Sequence, residues 1–323
     1  MFNLRSIKVD VGKEVAYVQA GATLGELYYK TANQSNVHAF PAGVCTGLGT
    51  SGHFSGCGYG NLISKYGLSV DNIVDALVVD VHDKILNRAL MGEDLSWAIR
   101  GGGGASFGVI VAWKIKLVRV PAMVRTIIVK FVDMFLGESD RLVPLLNRSF
   151  PELNLKKSDC KETSWVESIL YWDNFSAGTQ VEALLNRTQG ARDYSKNKLD
   201  YIKTLIPKAG LETIWKLLIE LANTMTAKVI MQWLNITNRN VDRVRYMHDR
   251  MAPFVSKEPR EAFLNYRDND IGSTASDETN FNDALVNGSK YFKDNFPRLT
   301  TVKAMVDPSN FFKNEQSPPP NIN

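Results

Sequence analysis

Cysteine is scarce in this chain: only Cys45, Cys57 and Cys160 occur among 323 residues. Three cysteines cannot form a disulfide framework, and the odd number leaves at least one free thiol. No Cys-x-x-Cys spacing or paired-histidine spacing occurs either, which argues against a metal site. These absences exclude the small disulfide-bonded and zinc-binding classes of protein.

Long apolar runs and blocks of like charge are also missing. Because no run of about 18 apolar residues occurs, we expect no membrane span. The first ten residues, MFNLRSIKVD, lack the apolar core of a secretory signal peptide. The formal net charge is +4 and is not concentrated in any segment, so nucleic acid is not the expected partner. A hydrophobic fraction of 44% is ordinary for a globular protein of one or two domains.

Glycine, in contrast, is concentrated in one stretch. The segment from Ala42 to Gly60, AGVCTGLGTSGHFSGCGYG, contains seven glycines in nineteen residues. Glycine lets the backbone adopt positive φ and approach a ligand closely, and successive N–H groups in such a loop can hold anionic oxygens. A glycine-rich surface turn is the alternative interpretation. A second cluster, Gly101–Gly104, leads into an apolar strand, and two clusters favour one long cofactor held at two places.

Periodic patterns predict an α+β protein. Residues 14–19 are typical of a strand, Thr23 and Glu26 form a capping-box pattern that opens a helix, and residues 76–86 are typical of a hairpin. An alternating strand is predicted over residues 109–117, with one face made of Val109, Val111, Trp113, Ile115 and Leu117. Helical spacing of apolar residues occurs over residues 139–147, 165–172, 181–187, 211–221, 241–251 and 281–296. A further strand is expected over residues 262–268.

Five segments of the chain form a long, ordered set of motifs: the glycine-rich segment itself, YGLSVDNIVDA, MGEDLSWAIRGGGGASFGVIVAWKIKLVRVP, VSKEPREAFLNYRDNDIG and VDPSNFFKNEQS. Together they resemble the plant berberine bridge enzyme-like family of flavin oxidases, which includes cannabinoid oxidocyclases. The resemblance implies an incomplete FAD-binding lobe of the PCMH type and a substrate domain of antiparallel sheet and helices. It implies a partial FAD-binding domain over residues 1–120, a substrate domain over 121–260, and a segment, 261–323, that returns to the FAD-binding domain.

The resemblance also implies that parts of the family pattern are missing. The chain is expected to begin inside an early strand, NLRSIKVD, without the histidine that the family couples to the flavin 8α position. Internal losses are expected after Pro121 and between Trp233 and Thr237, and Gln232 is a candidate remnant of a substrate-facing loop. Since positioned-base catalysis can lose about a hundredfold for a displacement of about 1 Å, we expect little or no turnover.

Residue roles follow from the resemblance in the same way. Cys45 stands where the family's cysteine bonds to flavin C6, and a lowered thiol pKa would favour that bond. His53 matches a histidine beside the flavin N1–C2=O edge, the alternative being an imidazole satisfied by loop carbonyls. Tyr59 and Tyr266 match tyrosines around the substrate, and Arg267 is the candidate cation for lowering the pKa of Tyr266. For Tyr266 the alternative is a core strand aromatic.

The cofactor-binding set that the resemblance implies is mostly glycine. It comprises Gly43, Cys45, Gly47, Gly49, Gly52, His53, Ser55, Gly56, Gly58, Gly103, Gly104, Phe107, Gly108 and Val109. The chain departs from the family at two nearby positions. Thr46 replaces the usual proline, which predicts a less rigid loop. Cys57 replaces a glycine, which predicts either a positive φ or a clash with the cofactor.

The implied reaction removes a hydride from an alcohol, a sugar, or a benzylic or allylic carbon and passes the electrons to dioxygen. The expected protein is a monomer with a small-molecule substrate, secreted or in the cell wall; six sequons agree with secretion, at Asn33, Asn147, Asn174, Asn186, Asn235 and Asn287. The alternative is a non-catalytic truncated or pseudogene product. A nicotinamide enzyme is disfavoured, because neither cluster gives G-x-G-x-x-G with an acidic residue about 20 positions on.

Overall fold

The computed structural model describes residues 1–128, 132–187, 198–224, 238–273 and 281–321. The chain forms two compact units, Met1–Thr188 and Gln189–Asn323. Helices and antiparallel strands occur together, so the predicted α+β class is confirmed. The domain boundaries predicted at residues 120 and 260 remain a prediction. Within the described ranges, no helix has both the length and the apolar character needed to cross a membrane.

All of the described strands lie in the first unit, together with six helices. The strands are β1 (Ile7–Asp10), β2 (Val15–Gln19), β3 (His38–Ala39), β4 (Ile73–Val79), β5 (Ile85–Leu86), β6 (Val109–Lys116), β7 (Val118–Arg119), β8 (Val124–Ile128), β9 (Val132–Phe135) and β10 (Cys160–Thr163). The helices are α1 (Leu24–Ala32), α2 (Thr50–Ser55), α3 (Ile63–Tyr66), α4 (Arg88–Ala98), α5 (Ser139–Ser149) and α6 (Trp165–Trp172). A helix was expected over 181–187, but only a 3₁₀ turn, Val181–Leu185, forms there.

The main sheet has five antiparallel strands in the order β1-β2-β6-β4-β5. Smaller sheets join β10-β8-β9 and β3-β7. The predicted hairpin is confirmed, because Val79 of β4 pairs with Ile85 of β5. The predicted capping box is also confirmed: Thr23 accepts a hydrogen bond from the Glu26 N–H, and the Glu26 carboxylate accepts one from the Thr23 N–H at 2.9 Å. Helix α1 therefore begins where the local sequence specifies.

Strand β6 follows the predicted alternation in only one half. Trp113 and Ile115 are buried as expected, but at the other end Ile110 is buried and Val109 is 40% exposed. The pairing of β4 with β6 shifts by one residue at Leu77–Val78. This β-bulge adds one residue to β6 and reverses which side chains face inward. The expectation that Val109 shares the buried face with Trp113 is therefore wrong.

Aromatic packing on this sheet fixes the helix that carries the glycine-rich segment. The Phe54 ring of α2 lies 5.0 Å from that of Phe40 and 6.2 Å from that of Trp113, both edge to face. Trp113 also donates from Nε1 to Ser51 Oγ at 3.3 Å. Since Phe54 is fully buried, the adjacent residue, His53, is held in a defined orientation above the sheet.

The described part of the second unit consists of helices and irregular segments. The helices are α7 (Lys208–Thr224), α8 (Asn238–Met251), α9 (Phe281–Phe292) and α10 (Phe296–Val306). The helix predicted over 281–296 is shorter than expected and ends at Phe292. The next residue, Lys293, has φ +53°, which does not continue an α-helix. Helices α9 and α10 meet through the stacked rings of Phe292 and Phe296, whose centroids are 6.2 Å apart.

The strand predicted over residues 262–268 does not form. The Tyr266 N–H donates to the Phe263 carbonyl at 2.9 Å, which closes a turn. The backbone N–H groups at the two ends of the segment donate hydrogen bonds to residues of α9. The Ala262 N–H donates to the Lys290 carbonyl, and the Asp268 N–H donates to the Tyr291 hydroxyl. The prediction failed because these backbone groups find partners on a helix that begins more than a dozen residues later in the chain.

Candidate active site

His53 is buried within the glycine-rich segment and is neutral. Its Nε2 accepts a hydrogen bond from the Gly43 N–H at 2.9 Å, and the residue is only 6% exposed. Burial lowers the pKa of His53 to about 4. Because Nε2 acts as an acceptor, the proton of the neutral ring is on Nδ1. The sequence left open that loop carbonyls satisfy the imidazole. One ring nitrogen does bond to a loop group, but that group is a backbone N–H and not a carbonyl.

Two of the predicted cofactor-binding glycines are required by the packing of His53. A Cβ at Gly43 would lie 3.1 Å from His53 Cε1, and one at Gly58 would lie 3.0 Å from His53 Cδ2. Gly58 also has φ +67°, and its Cβ would overlap the Ser69 hydroxyl. Glycine at these positions therefore lets the loop close around the imidazole.

Three other glycines leave an open surface. Gly47, Gly49 and Gly52 are exposed. Apart from the glycine's own chain neighbours and, for Gly52, the backbone of α2, no described atom lies within 4 Å of the position that a Cβ would occupy at any of them. Packing within the chain does not require glycine there. Such a surface allows a bulky ligand to approach the backbone directly, so these residues fit the predicted cofactor cradle.

The second glycine cluster lies against the first. The Gly101 and Gly103 N–H groups both donate to the carbonyl of Ser55, at 2.9 and 3.2 Å, at the end of α2. Gly104 and Gly108 serve packing: a Cβ at Gly104 would overlap the Ile110 side chain, and one at Gly108 would lie 2.6 Å from Val78 Cγ1. The two clusters that the sequence suggested as one site are therefore direct neighbours.

The other members of the predicted set differ in accessibility. Phe107 is 1% exposed and Val109 is 40% exposed. Ser55 is buried, and its hydroxyl donates to the Gly52 carbonyl at 3.3 Å. Gly56 is the C-cap of α2, and its N–H bonds to the Gly52 carbonyl. Ser55 and Gly56 thus make hydrogen bonds within the glycine-rich segment, and Phe107 is buried.

The surroundings of Cys45 disfavour its thiolate. All three cysteines are free thiols. Burial raises the pKa of the Cys45 thiol, and the Asp173 carboxylate raises it further. Burial and the nearby anion both disfavour the thiolate, so these two contributions of the chain oppose the lowered pKa that attachment requires.

Thr46 is held by several hydrogen bonds, and the lower rigidity expected without proline stays a prediction. Its N–H and its hydroxyl both donate to Asp173 Oδ2, at 3.0 and 2.5 Å. Its carbonyl accepts from the Gly25 N–H at 2.9 Å. A proline at this position has no N–H to donate. Hydrogen bonds thus restrain the residue that stands in place of the proline.

Sequence reasoning missed two residues that hold this loop, Asp173 and Tyr28. Tyr28 is fully buried on α1, and its hydroxyl donates to the Gly43 carbonyl at 2.5 Å. A tyrosine on the buried face of an amphipathic helix needs a hydrogen-bond partner, and that signal was available in the sequence. Asp173 lies 127 residues from Thr46, and no local pattern connects the two.

Cys57 adopts the conformation predicted from its replacement of a glycine. Its φ is +89°, a region that residues with a side chain rarely occupy. The Cys57 Sγ lies 3.0 Å from the position of a Cβ at Gly101. Burial, and then the nearby Asp71 carboxylate, raise the pKa of Cys57 to about 11. The thiol is therefore protonated, and it packs between the two glycine clusters.

The two predicted substrate tyrosines belong to different units. In the first unit, the Tyr59 carbonyl oxygen lies 3.5 Å from the Cβ position of Gly43, beside His53. In the second unit, Tyr266 lines a small cavity with His248, Arg260, Asp268 and Lys290 among others. Its ring centroid is 6.0 Å from that of Phe263. The candidate cation Arg267 donates to Asn314 Oδ1 at 2.5 Å.

Charged residues around the Tyr266 cavity are arranged in pairs. Arg260 binds both carboxylate oxygens of Asp200, at 2.5 and 2.6 Å, and Lys198 lies 2.6 Å from Asp268. Burial lowers the pKa of His248, although Asp200 opposes that change. His248 lies at the edge of this network, with Nε2 3.7 Å from Asp200 Oδ1. Gln232 lies outside the described residues.

Comparisons with known proteins show the family of this chain. A family model described as "FAD binding domain" matches residues 1–87, and one described as "Berberine and berberine like" matches residues 262–319. Berberine bridge enzyme-like 4 of Arabidopsis thaliana is 43% identical over 399 aligned positions, which cover 99% of this chain and 75% of that protein. Since the alignment is longer than this chain, that relative has internal segments that this chain lacks.

Solved structures give the same result. BBE-like number 28 from Arabidopsis thaliana is 34% identical, with a TM-score of 0.90, over 99% of this chain and 82% of that one. Phl p 4, a grass pollen allergen with glucose dehydrogenase activity, is 31% identical, with a TM-score of 0.91, over 100% of this chain and 80% of that one. The chain therefore belongs to the berberine bridge enzyme-like family of FAD-linked oxidoreductases.

Proposed function

We propose that this chain holds FAD along the open side of the glycine-rich segment and oxidises a small-molecule alcohol, sugar, or benzylic or allylic substrate there. The observation that carries the proposal is the open backbone surface at Gly47, Gly49 and Gly52. The second cluster, bonded through Gly101 and Gly103 to Ser55, extends the same glycine-lined region. When bound, FAD supplies a two-electron acceptor for hydride.

His53 has the properties that its proposed role requires. A neutral imidazole with its proton on Nδ1 is a hydrogen-bond donor, and donors stabilise the negative charge that develops on a reduced flavin. The bond from the Gly43 N–H to Nε2 fixes both the tautomer and the ring orientation. Since burial keeps the ring neutral above about pH 4, we expect its donor role to persist across the physiological pH range.

Tyr59 and Tyr266 are the proposed substrate-facing residues. A phenol has an ordinary pKa near 10 and needs cationic support to act as a base. Arg267, the candidate from the sequence, is hydrogen-bonded to Asn314, whereas His248, Arg260 and Lys290 line the same cavity as Tyr266. We assign Tyr266 as the candidate general base, with cationic support from Arg260 and Lys290 in place of Arg267. Burial lowers the pKa of His248, so this histidine is not one of the supporting cations.

Cys45 is the proposed covalent tether. If FAD is bound, the Cys45 sulfur is the atom of this chain that would hold the flavin covalently. Such attachment needs a thiolate, and burial and Asp173 both oppose its formation before the cofactor binds. We therefore expect attachment to be slow, and non-covalent binding to precede it.

Cofactor binding is tested by titrating the protein with FAD and recording flavin absorbance. Gly47→Leu places a side chain on the open surface, and we expect its affinity for FAD to fall at least tenfold, or about 1.4 kcal/mol. Gly12→Leu, on an exposed turn outside the segment, is the control and should bind FAD as the wild type does. Equal affinity in all three proteins would refute the proposed cradle.

Activity is tested with a panel of sugars, monolignol-type alcohols and benzylic alcohols. Peroxide release in air is compared with anaerobic reduction of a redox dye, because the electron acceptor is part of the proposal. We expect low turnover, since the relative has internal segments that this chain lacks and since small displacements are costly in catalysis. Tyr266→Phe should abolish this turnover, and Tyr246→Phe, at an exposed position of α8, should preserve it. FAD binding without any turnover would favour the non-catalytic alternative.

Secretion and a monomeric state are also proposals. Of the sequons in the described residues, Asn174 is exposed, whereas Asn287 is 1% exposed. Asn147 is hydrogen-bonded through its side chain to both backbone groups of Leu155. For a secreted chain we expect a glycan at Asn174 and none at Asn287, as measured by mass spectrometry of the plant-expressed protein. A chain without any glycan would contradict secretion.

A further inference from the structure

The strongest unassigned feature of the first unit is the carboxylate of Asp173, which lies next to the predicted tether. Oδ2 accepts two hydrogen bonds from Thr46, the residue that follows Cys45. Burial raises the pKa of the Cys45 thiol, and the same carboxylate raises it further. One side chain thus contacts the backbone of the loop and influences Cys45.

The position of Asp173 is itself firmly determined. Helix α6 begins with a capping box in which the Ser164 hydroxyl accepts from the Glu167 N–H. Its buried residue Trp165 packs edge to face on Tyr28 of α1, with the ring centroids 4.9 Å apart. At its other end, the Asp173 N–H donates to the Ile169 carbonyl at 2.9 Å. The helix therefore presents this carboxylate from a rigid scaffold.

We propose that Asp173 is a positioning residue for Cys45: by holding Thr46, it fixes the loop at the tether and keeps the thiol unreactive until the cofactor binds. Thr46 and Asp173 together perform the restraint that proline would give by covalent geometry. Unlike a proline, they add a negative charge that raises the pKa of the Cys45 thiol beyond the effect of burial. The consequence for flavin attachment rests on the proposed tether at Cys45, but the effect on the thiol does not.

The chain offers a matched control, because a second thiol has its own carboxylate. Asp71 raises the pKa of Cys57 and accepts a hydrogen bond from the Leu68 N–H at 2.8 Å. Both aspartates thus bond to loop backbone and act electrostatically on a half-buried cysteine. Replacing each by asparagine removes one charge while keeping a side chain that can still accept a hydrogen bond.

The experiment measures the rate of iodoacetamide alkylation of each cysteine in the folded full chain without FAD, from pH 7 to 10, with mass spectrometry of the peptides. In Asp173→Asn we expect Cys45 to react about three- to tenfold faster at pH 8, with its pH profile moved to lower pH, and Cys57 to react as in the wild type. In Asp71→Asn we expect Cys57 to react faster and Cys45 to react as in the wild type. Equal acceleration of all cysteines, or an unchanged Cys45, would overturn the proposal.

Two further variants separate the effect of the Thr46 hydrogen bond from the effect of the Asp173 charge. Thr46→Val removes the hydroxyl bond but keeps the carboxylate, so Cys45 should react faster with an unchanged pH profile. Thr46→Ser keeps the hydroxyl and should restore the wild-type rate. If Asp173→Asn does not fold, as judged by circular dichroism, the Thr46 pair decides the question: equal Cys45 rates in Val and Ser variants would overturn the positioning role.

A gel assay distinguishes this inference from the proposed tether. After incubation with FAD, flavin fluorescence that remains with the denatured chain reports covalent attachment. Faster alkylation of Asp173→Asn without any covalent flavin in either protein would support the positioning role and refute the tether. Faster alkylation together with faster flavin attachment would support both.

Discussion

In the first unit the candidate site is held by glycine contacts and by hydrogen bonds around a neutral histidine, whereas in the second unit Tyr266 lies among paired charges. His53 is enclosed by Gly43 and Gly58, and its Nε2 accepts a hydrogen bond from the Gly43 N–H. Around Tyr266, Arg260 pairs with Asp200 and Lys198 with Asp268. A buried pair loses stability when one partner is removed, and a glycine contact loses stability when an atom is added. The two units therefore differ in which substitutions they tolerate.

The largest effect is expected at the buried ion pair of the second unit. Lys303 and Asp307 are both 0% exposed, and the Lys303 ammonium lies 2.5 Å from Asp307 Oδ2. It also donates to the Phe312 carbonyl. Lys303→Met leaves a buried carboxylate without its cation, so the free energy of unfolding should fall by about 3–5 kcal/mol, as measured by urea denaturation.

An exposed pair is the control for this prediction. Lys157 and Asp140 form an ion pair at 2.8 Å, with side chains 64% and 69% exposed. Lys157→Met should cost less than about 1 kcal/mol, because solvent screens the pair. If both lysine variants lost the same stability, burial of charge would not distinguish the second unit.

The next effect separates two kinds of glycine in the first unit. Gly58→Ala introduces a Cβ at positive φ and against Ser69, which should cost about 2–4 kcal/mol of unfolding free energy. Gly47→Ala meets no atom within 4 Å in the described structure and should change stability by less than about 0.5 kcal/mol. FAD titration of the same variants should show weaker binding for Gly47→Ala. Equal destabilisation of the two variants would contradict the assignment.

A pH dependence tests the neutral histidine. The pKa of His53 is about 4 in the folded chain, below its ordinary value of 6.5. Between these values the unfolded chain binds a proton that the folded chain does not, so stability falls as the pH drops through this window. A difference of this size corresponds to at most about 3 kcal/mol at pH 4.

The matched variant for that measurement is His53→Gln, whose amide oxygen can still accept from the Gly43 N–H. Urea denaturation at pH 7 and at pH 4.5 should show a smaller loss of stability on acidification in this variant than in the wild type. The same pH dependence in both proteins would assign the loss to other groups.

The smallest expected change in the free energy of unfolding comes from replacing cysteine by glycine. The same substitution is compared at two positions with different backbone conformations. Cys57 has φ +89°, so Cys57→Gly should relieve strain and raise the free energy of unfolding by about 1 kcal/mol. Cys160 lies in the extended strand β10, where glycine should instead lower it by about 0.5–1 kcal/mol. Thermal unfolding monitored by circular dichroism would show shifts of opposite sign. A loss in both variants would mean that the Cys57 side-chain contacts outweigh the strain.

Much of the first unit could be predicted because its signals are local. The capping box at Thr23 and Glu26, the hairpin after β4 and the positive φ of Cys57 each depend on residues that are close in sequence. The resemblance predicted the family and the cofactor correctly, because the segments that carry it are long and occur in order. The residue roles at the site remain predictions.

What the sequence by itself determined is therefore the set of local elements and the family to which the chain belongs. Tertiary structure alone decided the reversed face of β6, the loss of the strand over 262–268 and the holding of Thr46 by Asp173. Each of these depends on a backbone or side-chain group that finds its partner far along the chain. Buried polar groups must be satisfied by whichever partner the fold brings near, and periodicity within one segment holds no information about that partner.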